Sequence, residues 1–362
     1  MKSRHLTLAL FLLAALVGWL AAGLAPAGAE QDVNLRQQLA IGLQLLRQGA
    51  EATADQRGCF TCHHQALPVL TLTLAERKGF PLDRKWVTAQ VEHSRPWLER
   101  RRTVMRTGRG IPGSAVTVGY ELLMESAAGE AATPLTGDLI EYLLRNQTPA
   151  GNWPGGGRRP PSEGSVFTAT ALALNGLRLY ASERPETATA VARAREWLLT
   201  AAPQDTEDHV FRLWALSLAD APKARRRQAR RELLALQEDD GGWAQTSELP
   251  TDAYATGTAL VALQRDALSV RSHAYRRGVK YLRETRAADG TWHVVKRARP
   301  VQTHFETGFP YGKDQFISSV ATNWATMALL HTLADEQEGP RGSSGARPRS
   351  AERHLRDVPV VR

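Results

Sequence analysis

The sequence predicts an all-α fold, six helical hairpins closed into a ring. Three observations carry that expectation. A seven-residue signature recurs: Gln147 to Trp153 and Gln237 to Trp243 both read Gln-x-x-x-Gly-x-Trp, and Arg286 to Trp292 repeats it with Arg for Gln. Each copy follows an amphipathic run, so one unit returns at about 45 residues, once skipping a copy, and such a period marks a repeat architecture. Helical stretches also alternate in character, and Gly and Pro fall where one stretch stops and the next starts, as at Gly79 with Pro81, Gly129 with Pro134, Pro185, Pro203 and Pro222.

In chain order, Lys2 and Arg4 precede an apolar run from Leu6 to Leu24, followed by Ala27-Gly28-Ala29 before Glu30. A basic start, an apolar stretch and a small-residue site read as a secretory signal over 1–29, cleaved after Ala29, which places the rest in the periplasm or otherwise outside the cytoplasm. The run is also about long enough to stay as an N-terminal membrane anchor. Stretches 34–50, 84–104, 135–147, 186–200, 223–236 and 270–285 carry one apolar stripe and a charged remainder, the pattern of surface helices with one buried face. Between them, 66–77, 114–128, 166–180, 208–219, 252–266 and 315–333 are apolar nearly all round, as in Ala253-Tyr254-Ala255-Thr256-Gly257-Thr258-Ala259-Leu260-Val261-Ala262-Leu263. Such helices are buried on every side. Six outer helices alternating with six inner ones make the ring, with domain bounds 30–334 including the cysteine loop 58–64. From 335 the composition turns to Gly, Ser, Arg and Pro, which reads as a disordered basic tail over 335–362.

With 362 residues and 43% hydrophobic content the chain can bury a large core. Its net charge of +9 would suit nucleic acid in a cytosolic chain, but export argues against that partner. The excess lies in 95–109, 223–231 and the tail, where solvated faces explain it; the sharper alternative is peripheral contact with anionic lipid headgroups.

The signature and its helices resemble the repeat of squalene-hopene cyclases, in a superfamily that also holds protein prenyltransferase β subunits. The likeness is clearest from Arg277-Gly278-Val279-Lys280-Tyr281-Leu282 to Trp292, and Asp252-Ala253-Tyr254-Ala255-Thr256-Gly257 is similar to its inner helices. The resemblance covers roughly 34–333 and implies a single (α/α)6 toroid with a central apolar cavity; it is much less specific for activity. Trp153, Trp243 and Trp292 could form an aromatic cage for a cation, but a residue that recurs with every hairpin reads better as a structural clip.

Two constellations could carry chemistry. Asp205-Thr206-Glu207-Asp208 followed by Trp214-Ala215-Leu216 resembles the Asp-x-Asp-Asp acid motif of the squalene-hopene cyclases. Carried over, Asp205 and Asp208 take the outer positions and Glu207 the proton-donating one, where a desolvated, protonated carboxylic acid is needed. Glu in place of Asp is a departure, and acidic residues at a helix start are also ordinary N-terminal chemistry. The single toroid differs as well from the paired domains of those cyclases. A prenyltransferase-like catalytic zinc is not expected, because the segments after Trp243 and Trp292 hold no Cys.

The second constellation is Cys59-Phe60-Thr61-Cys62-His63-His64. Cys-x-x-Cys-His resembles the attachment motif of c-type cytochromes, which implies covalent haem c on Cys59 and Cys62, with His63 as proximal iron ligand. A short disulfide is the competing reading in an exported chain; a thioredoxin-like pair would want a βαβ context, and zinc would need two more ligands. His93, Met105, Met124, His304 and His331 are the conceivable sixth ligands. By connectivity this loop, the Asp205 to Asp208 turn and the long loop 287–314 share one end of the ring, where the long loop could act as a lid. The leading expectation is therefore an exported toroid with haem at the mouth of an apolar cavity, binding an isoprenoid or lipid and exchanging electrons with a redox partner. The alternatives are a class II terpenoid-cyclase-like isomerase using Glu207 as acid, and a non-catalytic periplasmic binding module.

Overall fold

The computed structural model describes residues 27–335 apart from 158, 301 and 302, with the side chains of 27–32 and of residue 63 also outside it. Positions 1–26 of the expected signal and the tail from 336 therefore lie outside the described residues. Among the described residues the chain forms α1 (Ala27–Gln56), a π-helical turn (Cys62–Ala66) running into α2 (Leu67–Arg77), α3 (Arg84–Glu99), α4 (Arg102–Arg106), α5 (Ser114–Ala128), α6 (Pro134–Asn146) and α7 (Val166–Tyr180). The second half holds α8 (Pro185–Thr200), α9 (Thr206–Leu218), α10 (Lys223–Ala235), α11 (Ala253–Arg265), α12 (His273–Thr285) and α13 (Gln315–Leu330). A two-residue ladder pairs Trp243 with Asp252 and Ala244 with Thr251, antiparallel. None of the described helices is long and apolar enough to cross a membrane.

The ring closes on its own contacts. α2 packs on α5, α5 on α7, α7 on α9, α9 on α11, α11 on α13, and α13 returns to α2. Every residue of α7 from Phe167 to Leu177 is buried, as an inner helix apolar all round must be. A fully buried Leu or Val on such a helix contributes about 1.5–3 kcal/mol. The outer helices bury one stripe: Tyr275, Gly278, Tyr281 and Leu282 on α12, and only Ala229 and Leu233 on the Arg-rich α10. The expected helix 84–104 is two pieces, α3 and α4. Pro96 inside α3 supplies no N–H for the helical ladder, and the helix stops at Glu99.

The Gly-Trp signatures are clips. The indole N–H of Trp153 donates to Leu143 O (2.7 Å), that of Trp243 to Leu233 O (2.9 Å) and that of Trp292 to Leu282 O (2.9 Å), each satisfying a carbonyl near the end of the preceding outer helix. Each Trp backbone N–H in turn meets a threonine hydroxyl on an inner helix: Thr170, Thr256 and Thr322. Gln147 and Gln237 bridge to the next outer helix, each donating to the clip glycine's carbonyl and to Ala190 O or Ala274 O. The third clip closes the circle. Gly290 (φ 83°) lies so close to α1 that a Cβ there would come within 2.7 Å of the backbone N of Gly42.

The inner-helix N-termini gather at one end, since their leading loops touch one another: Gly113 bridges Gly156, Ser165 meets Asp208, Thr206 meets Gln245, and Gln245 meets Arg297. Inside the ring, where the resemblance implies a central cavity, inner-helix aromatic side chains approach one another. Phe211 and Trp214 of α9 are in ring contact (5.6 Å), Phe211 reaches past α11 to Trp324 of α13 (6.4 Å, edge-on), and Arg265 lies 3.9 Å over the Trp214 ring. Large aromatic side chains of the inner helices α9 and α13 thus meet inside the ring.

Candidate functional site

At the mouth, where the inner helices begin, lies a cavity of about 420 Å³. Its wall on one side is the first turns of α13, with Phe316, Ile317 and Val320; on the others are Thr61 and His64 of the cysteine loop and Pro160. The long loop expected as a lid forms the roof, with Phe305 and His304 facing in. Aromatic contacts tie roof to wall: Phe305 to Phe316 at 5.2 Å between centroids, and His64 edge-on to Phe316 at 5.3 Å. The roof is pinned at its far side. Gln56 donates to Glu306 O, Arg57 to Thr303 O, and Thr307 donates through both its N–H and its hydroxyl to the Gln315 side-chain oxygen. These bonds fix a long loop in one path, which a simple hairpin connection would not need.

The acid triplet stands together at the start of α9 but does three different jobs. Asp205 is the N-cap and accepts from Asp208 N–H. Asp208 accepts from the Ser165 hydroxyl (2.6 Å) and from Gln204 N–H, so both outer carboxylates tie loop to helix. Glu207 alone turns inward. It is buried, and it accepts from the Thr168 hydroxyl (2.6 Å) and the Tyr254 phenol (2.7 Å) on the two flanking inner helices. Desolvation pushes its carboxyl up to about 8 against those two bonds, which keeps it a neutral acid at neutral pH. Glu207 is thus an acid in the right protonation state for proton donation, but it does not line the mouth cavity.

The cysteine loop abuts the cavity without turning both thiols into it. Cys59 is half-buried and Cys62 is buried, and the two are not disulfide-bonded. The Cys62 thiol contacts the Thr117 side chain on α5, and burial pushes it up to about 12, so it is neither a nucleophile nor a ready ligand. The side chain of His63 lies outside the described residues. Neither thiol lines the cavity, although Thr61 and His64 of the same loop do. Of the conceivable sixth ligands only His304 lines the cavity. Met105 and Met124 are core residues, His93 contacts Arg57 O, and His331 lies beside Arg265 at a small cavity of about 50 Å³ lined from the helix C-termini. No group of three His, Cys, Asp or Glu side chains among the described residues could hold a metal ion.

Phe316, Ile317 and Val320 belong to an inner helix whose apolar pattern says only that it is buried, so the sequence gives no sign that its first turns face a cavity. The cations Lys296 and Arg299 sit in irregular chain and Lys313 in the short turn Gly312–Asp314, so none carries a periodicity to mark it.

No protein-family model matches the chain, and no curated protein matches it. Among solved structures it is similar to the type II terpene cyclase MstE from Scytonema in its apo form (15% identity, 82% of this chain and 99% of that one, TM-score 0.48). It is similar also to a variant of that cyclase in complex with geranylgeranyl dihydroxybenzoate as substrate (13% identity, 83% and 99%, TM-score 0.49). A possible member of the GH105 family from Salmonella enterica serovar Paratyphi A is a further likeness (14% identity, 82% and 94%, TM-score 0.47). At TM-scores below 0.5 none of these decides anything about this chain, and the toroid rests on its own ring of helix contacts.

Proposed function

We propose that this is an exported receptor for a small, largely apolar molecule of isoprenoid or lipid type, held in the mouth cavity beneath the long loop. The carrying observation is the cavity itself, of ligand size, with mostly apolar walls and a roof pinned by hydrogen bonds at its base. In support, Phe305 of the long loop and His64 of the cysteine loop both pack on Phe316 in the cavity wall, so roof and wall form one apolar enclosure. The test is extraction of bound lipid from the protein as purified and from Ile317→Trp, which fills the cavity. About one molecule per chain in the parent, lost in the variant at unchanged Tm, is the expected result; identical lipid in both would overturn the reading. Phe305→Ala, which widens rather than fills, guards against a variant that fails to fold and should change the chain length retained.

Two other readings each have one observation in their favour. Thr61 and His64 of the Cys-x-x-Cys-His loop lie in the cavity wall, which favours a haem tethered nearby, although the buried Cys62 speaks against it. A pyridine haemochrome spectrum on protein secreted from cells with cytochrome c maturation machinery separates this reading: an α band lost in Cys62→Ala supports it, and a colourless protein sinks it. Glu207, a buried neutral acid, favours a cyclase-like proton donor. Turnover of a polyprene that disappears in Glu207→Gln would be needed to sustain that role.

A further inference from the structure

We infer that the molecule taken by the mouth cavity is an amphiphile with an anionic head, a carboxylate or a phosphate monoester, on a single apolar chain. The inference rests on the reading of the cavity as a ligand site and adds the chemistry of its rim. Five cations line the cavity, Arg159, Lys296, Arg297, Arg299 and Lys313, against one carboxylate, Glu163. Arg159 is spent on an ion pair with Glu163. Arg297 donates to Gln245 and faces the Asp205 and Asp252 carboxyls, and Lys296 donates its backbone N–H to Asp314, whose carboxylate also meets His293 and draws the Lys296 ammonium at longer range. Glu306, the nearest acid on the roof, is engaged by His304. Arg299 and Lys313 remain, with no hydrogen bond or ion pair among the described residues, one on the roof and one at the turn leading into α13.

α13 runs on from the turn Gly312–Asp314, whose Gly312 carbonyl takes the Gln315 N–H, and the Asp314 carboxylate at its N-cap is held by His293 and the Lys296 N–H, so the side-chain cations are what set the charge of this rim. Elsewhere in the same lining the character changes, and Phe305, Phe316, Ile317 and Val320 offer only apolar surface. A simple inorganic anion would leave that surface unused, and a neutral hydrocarbon would leave the cations unused. A headgroup at Arg299 and Lys313 with its chain against Phe316 and Ile317 uses both.

The test compares binding of dodecanoate, dodecyl phosphate, dodecanol and dodecylamine to the full chain, below micelle-forming concentrations, in parent protein and in the double variant Arg299→Gln, Lys313→Gln. Both substituted side chains are exposed, so the fold should stand. One or both anions should bind about tenfold tighter than the alcohol, weaken as salt rises, and lose about tenfold in the double variant while the alcohol is unaffected. The two anionic arms separate a carboxylate from a phosphate head. Alcohol or amine binding as tightly as the anions, or a double variant that keeps the preference, would overturn the inference while leaving the cavity a ligand site. Failure of all four to bind would overturn both.

Discussion

At the level of single residues, the most consequential side chains are those that recur. Trp243 is fully buried, joins Leu233 O to Thr256 through its two N–H groups, and packs where Gly278 of α12 must be small to admit it. Trp243→Ala should cost about 3–5 kcal/mol, measured by urea denaturation, with the larger end expected because the carbonyl is orphaned as well as the cavity opened. A loss under about 1 kcal/mol would mean that the clip is decorative. The repeat made this legible, since only a structural job is needed once per hairpin. Glu207 was legible as an acid, and its burial only through the resemblance of its motif. Glu121, buried on α5 and accepting from Ser94, was not anticipated at all, and desolvation pushes it too up to about 8. Because both are raised, the folded chain holds protons that the unfolded chain has released. The stability this gives is complete below the ordinary glutamate range and is lost as pH rises through about 8. Stability should therefore fall between pH 6.5 and 8.5 by about 1 kcal/mol per pH unit for each group, and Glu207→Gln should flatten the slope. The window starts at 6.5 because His331, depressed to about 3 by burial, acts with the opposite sign below it. A slope unchanged in Glu207→Gln would show that this carboxyl is not protonated in the folded state.

Among the elements, helices were legible and loops were not. Periodicity distinguishes one buried stripe from burial on all sides, and that distinction placed the six inner helices within a few residues, whereas among the outer ones the first runs longer than expected, over Ala27–Gln56, and the second is broken in two. It is blind to connections, where shape depends on which neighbour a loop meets. The long loop is the clearest example: its length announced a role, but its fold over α13 is set by bonds to Gln56, Arg57 and Gln315, residues up to 250 positions away. Gly290 illustrates the same point inside a motif. The signature requires a glycine, but only the structure says that this one seals the last outer helix against the first. Gly290→Ala, with φ positive and α1 in van der Waals contact, should destabilise by more than about 1 kcal/mol and expose α1 to protease before the rest of the ring. Proteolysis that began elsewhere would place the weakest seam at another hairpin.

The molecule as a whole is a ring polarised along its axis, with the inner-helix N-termini, the cations Arg299 and Lys313 and the roofed cavity at one end. The closed ring could be foreseen from alternation and repeat count, because hairpins of one length with one apolar edge must curl back on themselves. The meeting of Phe211 with Trp324 across the inner helices could not, since helical periodicity gives no inward distance and the same apolar pattern fits many inner packings. That the open space lies at the mouth is what makes ligand binding there the central claim, and equilibrium titration of a fluorescent polyene fatty acid against the parent chain and Ile317→Trp tests it most directly. Saturation at one probe per chain in the parent, absent in a variant of equal Tm, is the predicted result; the same isotherm in both proteins, or no saturable binding in the parent, would contradict it.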